Sequence, residues 1–154
     1  AEGVAAYRAD YGARGLLASA PYPGVPEALD AMQAAGARLI LATSKRRAFA
    51  EHILDHTGLA TLFAAIHGSE PGGALDHKPE LIAHIIARYG LDPAACVMVG
   101  DRRYDISGAH ANRVRALGVL WGYGSRDELE TAGADDLVGD PQDLAAAALA
   151  LLSS

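Results

Sequence analysis

Short apolar runs alternate along the chain with longer stretches whose apolar positions recur every three or four residues, the pattern of strands separated by helices. Val4 to Leu17 follows the helical period. PYPGVP then makes a turn, and its Pro26 suits the first turn of a helix over Glu27 to Ala35 that Gly36 ends. RLILAT, Arg38 to Thr43, is an apolar run of strand length that stops at polar Thr43 and Ser44. Arg46 to Thr57 carries Phe49, Ile53 and Leu54 at helical spacing and ends at Gly58.

The second half keeps the alternation. A weak strand, Ala64 to His67, leads into GSEPGGALD, too rich in Gly and Pro for regular structure. Lys78 closes that loop, and Pro79 opens a helix over Glu80 to Tyr89 with Leu81, Ile82, Ile85 and Ile86 on its apolar side. Cys96 to Val99 is the clearest strand, closed by Gly100 and Asp101. A helix through Ala111, a strand Ala116 to Leu120, a helix Arg126 to Thr131, a strand Asp136 to Val138 and a helix Gln142 to Leu152 follow. Strands joined through helices predict an α/β fold, an open parallel sheet with helices on both faces. Such sheets carry their chemistry at the carboxyl ends of the strands, which singles out Thr43, Ser44, Asp101 and the loops after His67 and Leu120.

Length and charge narrow the possible partners. A chain of 154 residues makes one domain around one core. A formal charge of −6 argues against a general nucleic-acid surface, which needs a clustered excess of Lys and Arg. The longest apolar run, Leu144 to Leu152, is too short to span a bilayer, and the first residues lack a signal-peptide pattern. The single cysteine, Cys96, cannot form an internal disulfide, and packing is its expected role within an apolar strand. These features predict a soluble, cytoplasmic protein that binds neither nucleic acid nor membrane.

Asp101 follows a buried strand and Asp105 comes one helical turn later, which brings both carboxylates to one side of a helix start. Two hard oxygen donors there suit Mg²⁺; helix capping by one and solvation of the other is the plain alternative. Thr43 and Ser44 hold an anionic oxygen or merely cap a helix. Lys78 offers a three-donor ammonium for phosphate charge, or a solvated surface group. Lys45, Arg46 and Arg47 form a short basic run beside Thr43, with Lys45 nearest the site. Arg102 and Arg103 face the cleft or solvent, and Trp121 and Tyr123 line the cleft or pack beneath their loop. Glu51, His52 and His56 lack the H-E-x-x-H order of a metal helix, and the Gly68 to Asp76 loop lacks the order of a nucleotide-binding phosphate loop.

The order of these features along the chain says more than any one of them. With LILATSK, HKPELI and MVGDRRYDISGA in succession, the chain resembles the haloacid dehalogenase superfamily of phosphatases. That family's second, third and fourth motifs are a strand-end Thr or Ser, a Lys at a helix start and an acidic pair. The resemblance runs from about Tyr22 to the C-terminus and is closest to phosphoglycolate-phosphatase-like and 5′-nucleotidase-like members, whose loop and final helix-strand GVLWGYGSRDELETAGADDLV looks like. It implies a Rossmann-like core and a Mg²⁺-dependent hydrolase. The substrate would be a small phosphoester, such as phosphoglycolate or a nucleoside 5′-phosphate, cleaved through an aspartyl-phosphate. By the same resemblance Thr43, Ser44, Lys45 and Lys78 bind the substrate, Thr43, Lys78 and Asp101 are catalytic, and Asp101 and Asp105 hold Mg²⁺.

One motif departs from the family. Its first motif is a D-x-D on the first strand, which supplies the nucleophile, and no such strand is legible before PYPG; Asp10 sits on a helical pattern and is not given that role. Residues 1–20 resemble the last helix of the family's small cap, so they are expected as a cap remnant, with 21–154 as an incomplete core whose central first strand is absent. An empty centre would leave a gap of roughly 10 Å flanked by unpaired N–H and C=O groups. The 154 residues are therefore expected to belong to a longer natural chain whose N-terminal segment brings the nucleophile, or to borrow the strand from another segment or a swapped copy. The chain alone is expected to be inactive. A non-catalytic fragment or pseudoenzyme binding only Mg²⁺ and phosphate is the alternative. A phosphoacceptor signalling domain is disfavoured, because there the acids come first and the lysine last.

Overall fold

In the computed structural model, which describes residues 4–7, 23–48, 51–52, 55, 58, 60–71, 75 and 77–153, six strands form one parallel sheet. They are β1 (Val4–Tyr7), β2 (Arg38–Arg46), β3 (Ala65–Ser69), β4 (Cys96–Gly100), β5 (Arg115–Val119) and β6 (Asp136–Val138), in the spatial order β3-β2-β1-β4-β5-β6. Helices α1 (Val25–Ala34), α2 (Lys78–Tyr89), α3 (Arg103–Ala111), α4 (Arg126–Ala132) and α5 (Leu144–Ser153) cover its faces. Parallel strands need such crossovers, and both faces are thereby buried.

The period of two along each strand divides the core between those faces. Leu39 and Leu41 of β2 and Val97 and Val99 of β4 pack with Leu29, Met32 and Leu144 from α1 and α5. Their neighbours Ile40, Ala42, Cys96 and Met98 turn the other way, onto Leu81, Ile85, Ile106 and Leu129 of α2, α3 and α4. Cys96 packs as its sequence setting implies: its thiol donates to the Asp92 carbonyl at 3.3 Å, and burial pushes its pKa up to about 11. Prolines stand in the first turns of α1 and α2, where their missing N–H costs nothing. Among the described residues no helix is long and apolar enough to cross a membrane.

Two expectations are corrected. Val4–Tyr7 is a strand, not helix, and it fills the centre of the sheet; it runs level with Arg38–Leu41 of β2 on one side and Cys96–Val99 of β4 on the other. The central strand is therefore not absent, and the cap-remnant reading of 1–20 fails for Val4–Tyr7; the rest of that segment, with Asp10, lies outside the described residues. Two inner rows of N–H and C=O groups lacking partners outweigh the weak helical preference of four residues, two of which, Val4 and Tyr7, favour strands. The expected gap is closed by a segment of the chain itself. The second correction concerns β2, which continues through Ser44 and Lys45 to Arg46 instead of stopping at Thr43. Its ladder with β3 resumes at Arg46 and Ser69 after a register shift, so pairing carries the strand past the polar residues.

On β3, His67 Nε2 lies 2.7 Å from the Tyr89 hydroxyl and its ring 5.5 Å from that of His84. Partial burial, then the charges of His84, Arg47 and Arg88, lower the His67 pKa below 6.5 against the opposing pull of Glu70. The unfolded chain therefore binds a proton at higher pH than the folded one. Unfolding free energy measured in urea is expected to fall as pH drops through about 6.5 and to level off below the lowered pKa, with His67→Gln flattening that slope. Ala6→Pro, which removes a ladder N–H at the sheet centre, is expected to cost on the order of 3 kcal/mol in the same assay; an unchanged midpoint would exclude Val4–Tyr7 from the sheet.

Candidate active site

Leu41 of β2, Tyr7 of β1 and Val99 of β4 lie abreast. Thr43 and Asp101 each come two residues later, so they stand on either side of β1 at the carboxyl mouth of the sheet, separated by two strand spacings of about 5 Å each. Both are buried, at 2% and 6% exposure. Lys78, the first residue of α2, reaches the same place from the opposite direction: its ammonium donates to the Ala42 carbonyl at 3.0 Å.

The Lys78 ammonium also sits 3.1 Å from Asp105 Oδ1, an ionic contact without hydrogen-bond alignment, between side chains only 3% and 0% exposed. Asp105 lies in the first turn of α3, where the helix dipole favours negative charge. Its other oxygen, Oδ2, accepts from the backbone N–H groups of Asp101 and Arg102, each at 3.1 Å. One carboxylate thus joins the end of β2, the start of α2 and the turn after β4. Asp101 Oδ2 accepts from the Tyr123 N–H at 2.8 Å, and the Gly124 N–H donates to the Asp101 carbonyl at 2.9 Å.

Glu128 completes the frame. Its Oε2 accepts from Arg102 Nε at 2.8 Å and from the Arg103 N–H at 2.9 Å. The Arg102 guanidinium and the Arg103 amide hold its carboxyl below the usual range. The sequence reading missed Glu128; its one signal is the S-x-x-E spacing of Ser125 and Glu128, where the serine hydroxyl does cap α4 by accepting from the Glu128 N–H at 3.1 Å. It likewise missed the backbone contacts of Tyr123 and Gly124 with Asp101, which leave no mark in residue types.

Of the residues expected at the site, Lys78, Asp101 and Asp105 form one connected cluster, and Thr43 follows the Ala42 carbonyl that Lys78 binds. Ser44 and Lys45 continue β2, but their side chains lie outside the described residues. The Arg102 and Arg103 guanidinium groups lie 5.3 and 4.8 Å from the ring of Tyr104, which is exposed. Trp121 packs against the core cluster, whereas Tyr123 is exposed. Glu51 is engaged by Arg47 at 3.2 Å, and no group of three or more His, Cys, Asp or Glu gathers among the described residues.

A divalent cation at this mouth needs hard oxygen donors. Asp105 is engaged by Lys78 and by two backbone amides, and Asp101 brings a second buried carboxylate, a hard oxygen donor, to the same mouth. Mg²⁺ keeps much of its water and takes only one or two carboxylates, which a single committed aspartate satisfies. The residues fit it.

A family model described as haloacid dehalogenase-like hydrolase matches residues 1–112. The chain is 42% identical over 128 residues to a 5′-nucleotidase of Pseudomonas aeruginosa, covering 83% of this chain and 58% of that protein. It is 39% identical over 129 residues to the tyrosine-protein kinase PtkA of Mycobacterium tuberculosis (84% and 44% covered). It is 34% identical over 136 residues to a phosphoglycolate phosphatase of Caulobacter vibrioides (88% and 57% covered). The crystal structure of a predicted phosphatase from Clostridium acetobutylicum superposes with a TM-score of 0.81 at 36% identity, covering 84% of this chain and 60% of that one. The chain spans about half the length of the curated relatives it matches.

The buried pair has a measurable consequence. Asp105→Ala leaves the Lys78 charge without its carboxylate, and urea unfolding is expected to register a loss of about 3–5 kcal/mol, whereas Lys78→Met combined with Asp105→Leu recovers most of it.

Proposed function

The chain belongs to the haloacid dehalogenase-like hydrolase family, and on that premise we propose that the intact protein is a Mg²⁺-dependent phosphomonoester hydrolase. Its substrate is a small phosphoester such as phosphoglycolate or a nucleoside 5′-phosphate, the classes named among its relatives. The observation that carries this reading is the convergence of Lys78, Asp105 and Asp101 on one strand mouth.

In the proposed reaction an aspartate oxygen attacks phosphorus and the ester P–O bond breaks, the alcohol leaving with a proton from a neighbouring acid. Water then cleaves the acyl phosphate, releasing inorganic phosphate and restoring the carboxylate. Thr43, with Ser44 and Lys45, binds phosphoryl oxygens. Lys78 stands ready as a fixed positive charge toward the phosphoryl group and its attacker. Asp101 binds the cation, which when bound supplies charge neutralisation for the phosphoryl group, and Asp105 assists by holding the Asp101 amide.

No acidic residue lies within Val4–Tyr7, and we assign the nucleophile to an N-terminal segment of the same protein outside this chain, which would take the slot that Val4–Tyr7 fills. Without it, this chain binds Mg²⁺ and phosphate and turns nothing over, the behaviour of a non-catalytic fragment. The negative charge and the single buried cysteine support a cytoplasmic setting without nucleic-acid or membrane partners.

Phosphate release from phosphoglycolate and from nucleoside 5′-monophosphates tests the reading. The intact protein is expected to hydrolyse one of them with Mg²⁺ present, Asp101→Asn is expected to lower that rate by at least about 100-fold, and the present chain is expected to be silent. Near-normal turnover by Asp101→Asn would remove Asp101 from the mechanism.

A further inference from the structure

We propose that the loop Gly122–Tyr123–Gly124 is a positioning strap for Asp101: its backbone, not its side chains, sets the direction of that carboxylate at the mouth of the sheet. Three observations support it independently. The Tyr123 N–H donates to Asp101 Oδ2 at 2.8 Å, so one carboxylate oxygen is committed to the loop. The Gly124 N–H donates to the Asp101 carbonyl at 2.9 Å, so the same loop fixes both ends of the residue.

The third observation is steric. A Cβ built at Gly122 would overlap the Asp101 carboxylate, and one built at Gly124 would overlap the Asp101 carbonyl oxygen. Neither glycine has a left-handed φ, so close approach rather than backbone conformation requires them. Tyr123 between them is exposed, and its side chain takes no part in the contact.

The strap is itself anchored. Ser125 caps α4 directly after the loop, and Glu128 in that helix's first turn grips Arg102 and Arg103, the two residues after Asp101. Asp105 holds the Asp101 amide from the other side. Asp101 is therefore tied through its amide, its carbonyl and one carboxylate oxygen, and a ligand carboxylate fixed in this way binds a cation without first giving up its own rotational freedom.

The consequence for Mg²⁺ rests on the metal-binding role proposed above, whereas the strap itself does not, and the experiment separates the two. Backbone amide exchange comes first. Asp101→Ala is expected to speed exchange at Tyr123 by at least about tenfold while leaving Ala116 unchanged, because the Ala116 N–H is held by Asp135 instead. Mg²⁺ titration of the chain follows. Gly122→Ala and Gly124→Ala are expected to weaken affinity about 10- to 100-fold, with Tyr123→Ala staying within about twofold of the parent.

A loop that merely stabilised the fold would lower the urea midpoint of the glycine variants without touching the affinity of those that fold, and that result overturns the proposal. So does wild-type exchange at Tyr123 in Asp101→Ala, which also decides the matter if the glycine variants fail to fold. A parent chain that does not bind Mg²⁺ would remove the metal role of Asp101 and leave the strap to be judged by exchange alone.

Discussion

The buried pair of Lys78 and Asp105 is the constraint around which the site is built. Removing two charges from water is costly, and the expense is offset only where each charge finds several partners. Here the ammonium has the Ala42 carbonyl and the Asp105 carboxylate, and that carboxylate has two further amides in the turn after β4. The interaction therefore cannot form until the ends of β2 and β4 and the starts of α2 and α3 are all in place. Its net contribution to stability is modest by comparison with the loss on breaking it, and its effect is to make the arrangement of the strand mouth nearly all-or-none.

That arrangement depends in turn on what lies between β2 and β4. Parallel strands expose both rows of backbone groups to their neighbours, so the centre of such a sheet admits no vacancy. Val4–Tyr7 meets the requirement with four residues and sets Leu41 and Val99 level with each other, from which the matching positions of Thr43 and Asp101 follow. The Lys78–Asp105 pair then spans the width of that strand. A family membership resting on motifs at the strand ends and a sheet completed by an unexpected segment are thus parts of one structure.

Most of the architecture from Val25 onward was legible because each element carried its own punctuation: prolines opening α1 and α2, and apolar runs of strand length at Cys96 and Arg115. Thr43, Lys78, Asp101 and Asp105 were legible through order and chemistry. Val4–Tyr7 was not, since an Ala-rich segment has little preference of its own and its conformation is decided by partners distant in the chain. The extent of β2 was missed for the same reason, because pairing with β3 carried it beyond the last apolar residue. The pairing of Asp105 with Lys78 was not foreseen, Asp105 being read as a metal ligand or a helix-start group and Lys78 as a phosphate or surface group, because two buried opposite charges from separate helices have no local signature. The contacts of Tyr123 and Gly124 are made by backbone atoms, which every sequence shares.

The position of β1 bears on assembly. Val4 must meet both Arg38 and Cys96, so the middle of the sheet closes only once the start of the chain reaches β4, far along it, a contact that forms late when loop closure is slow. Until then β2–β3 and β4–β5–β6 face each other as two half-sheets with open inner rails. At high concentration the Val4–Tyr7 segment of a neighbouring molecule competes for that opening, so the characteristic refolding error of this chain is an exchange of that segment between molecules.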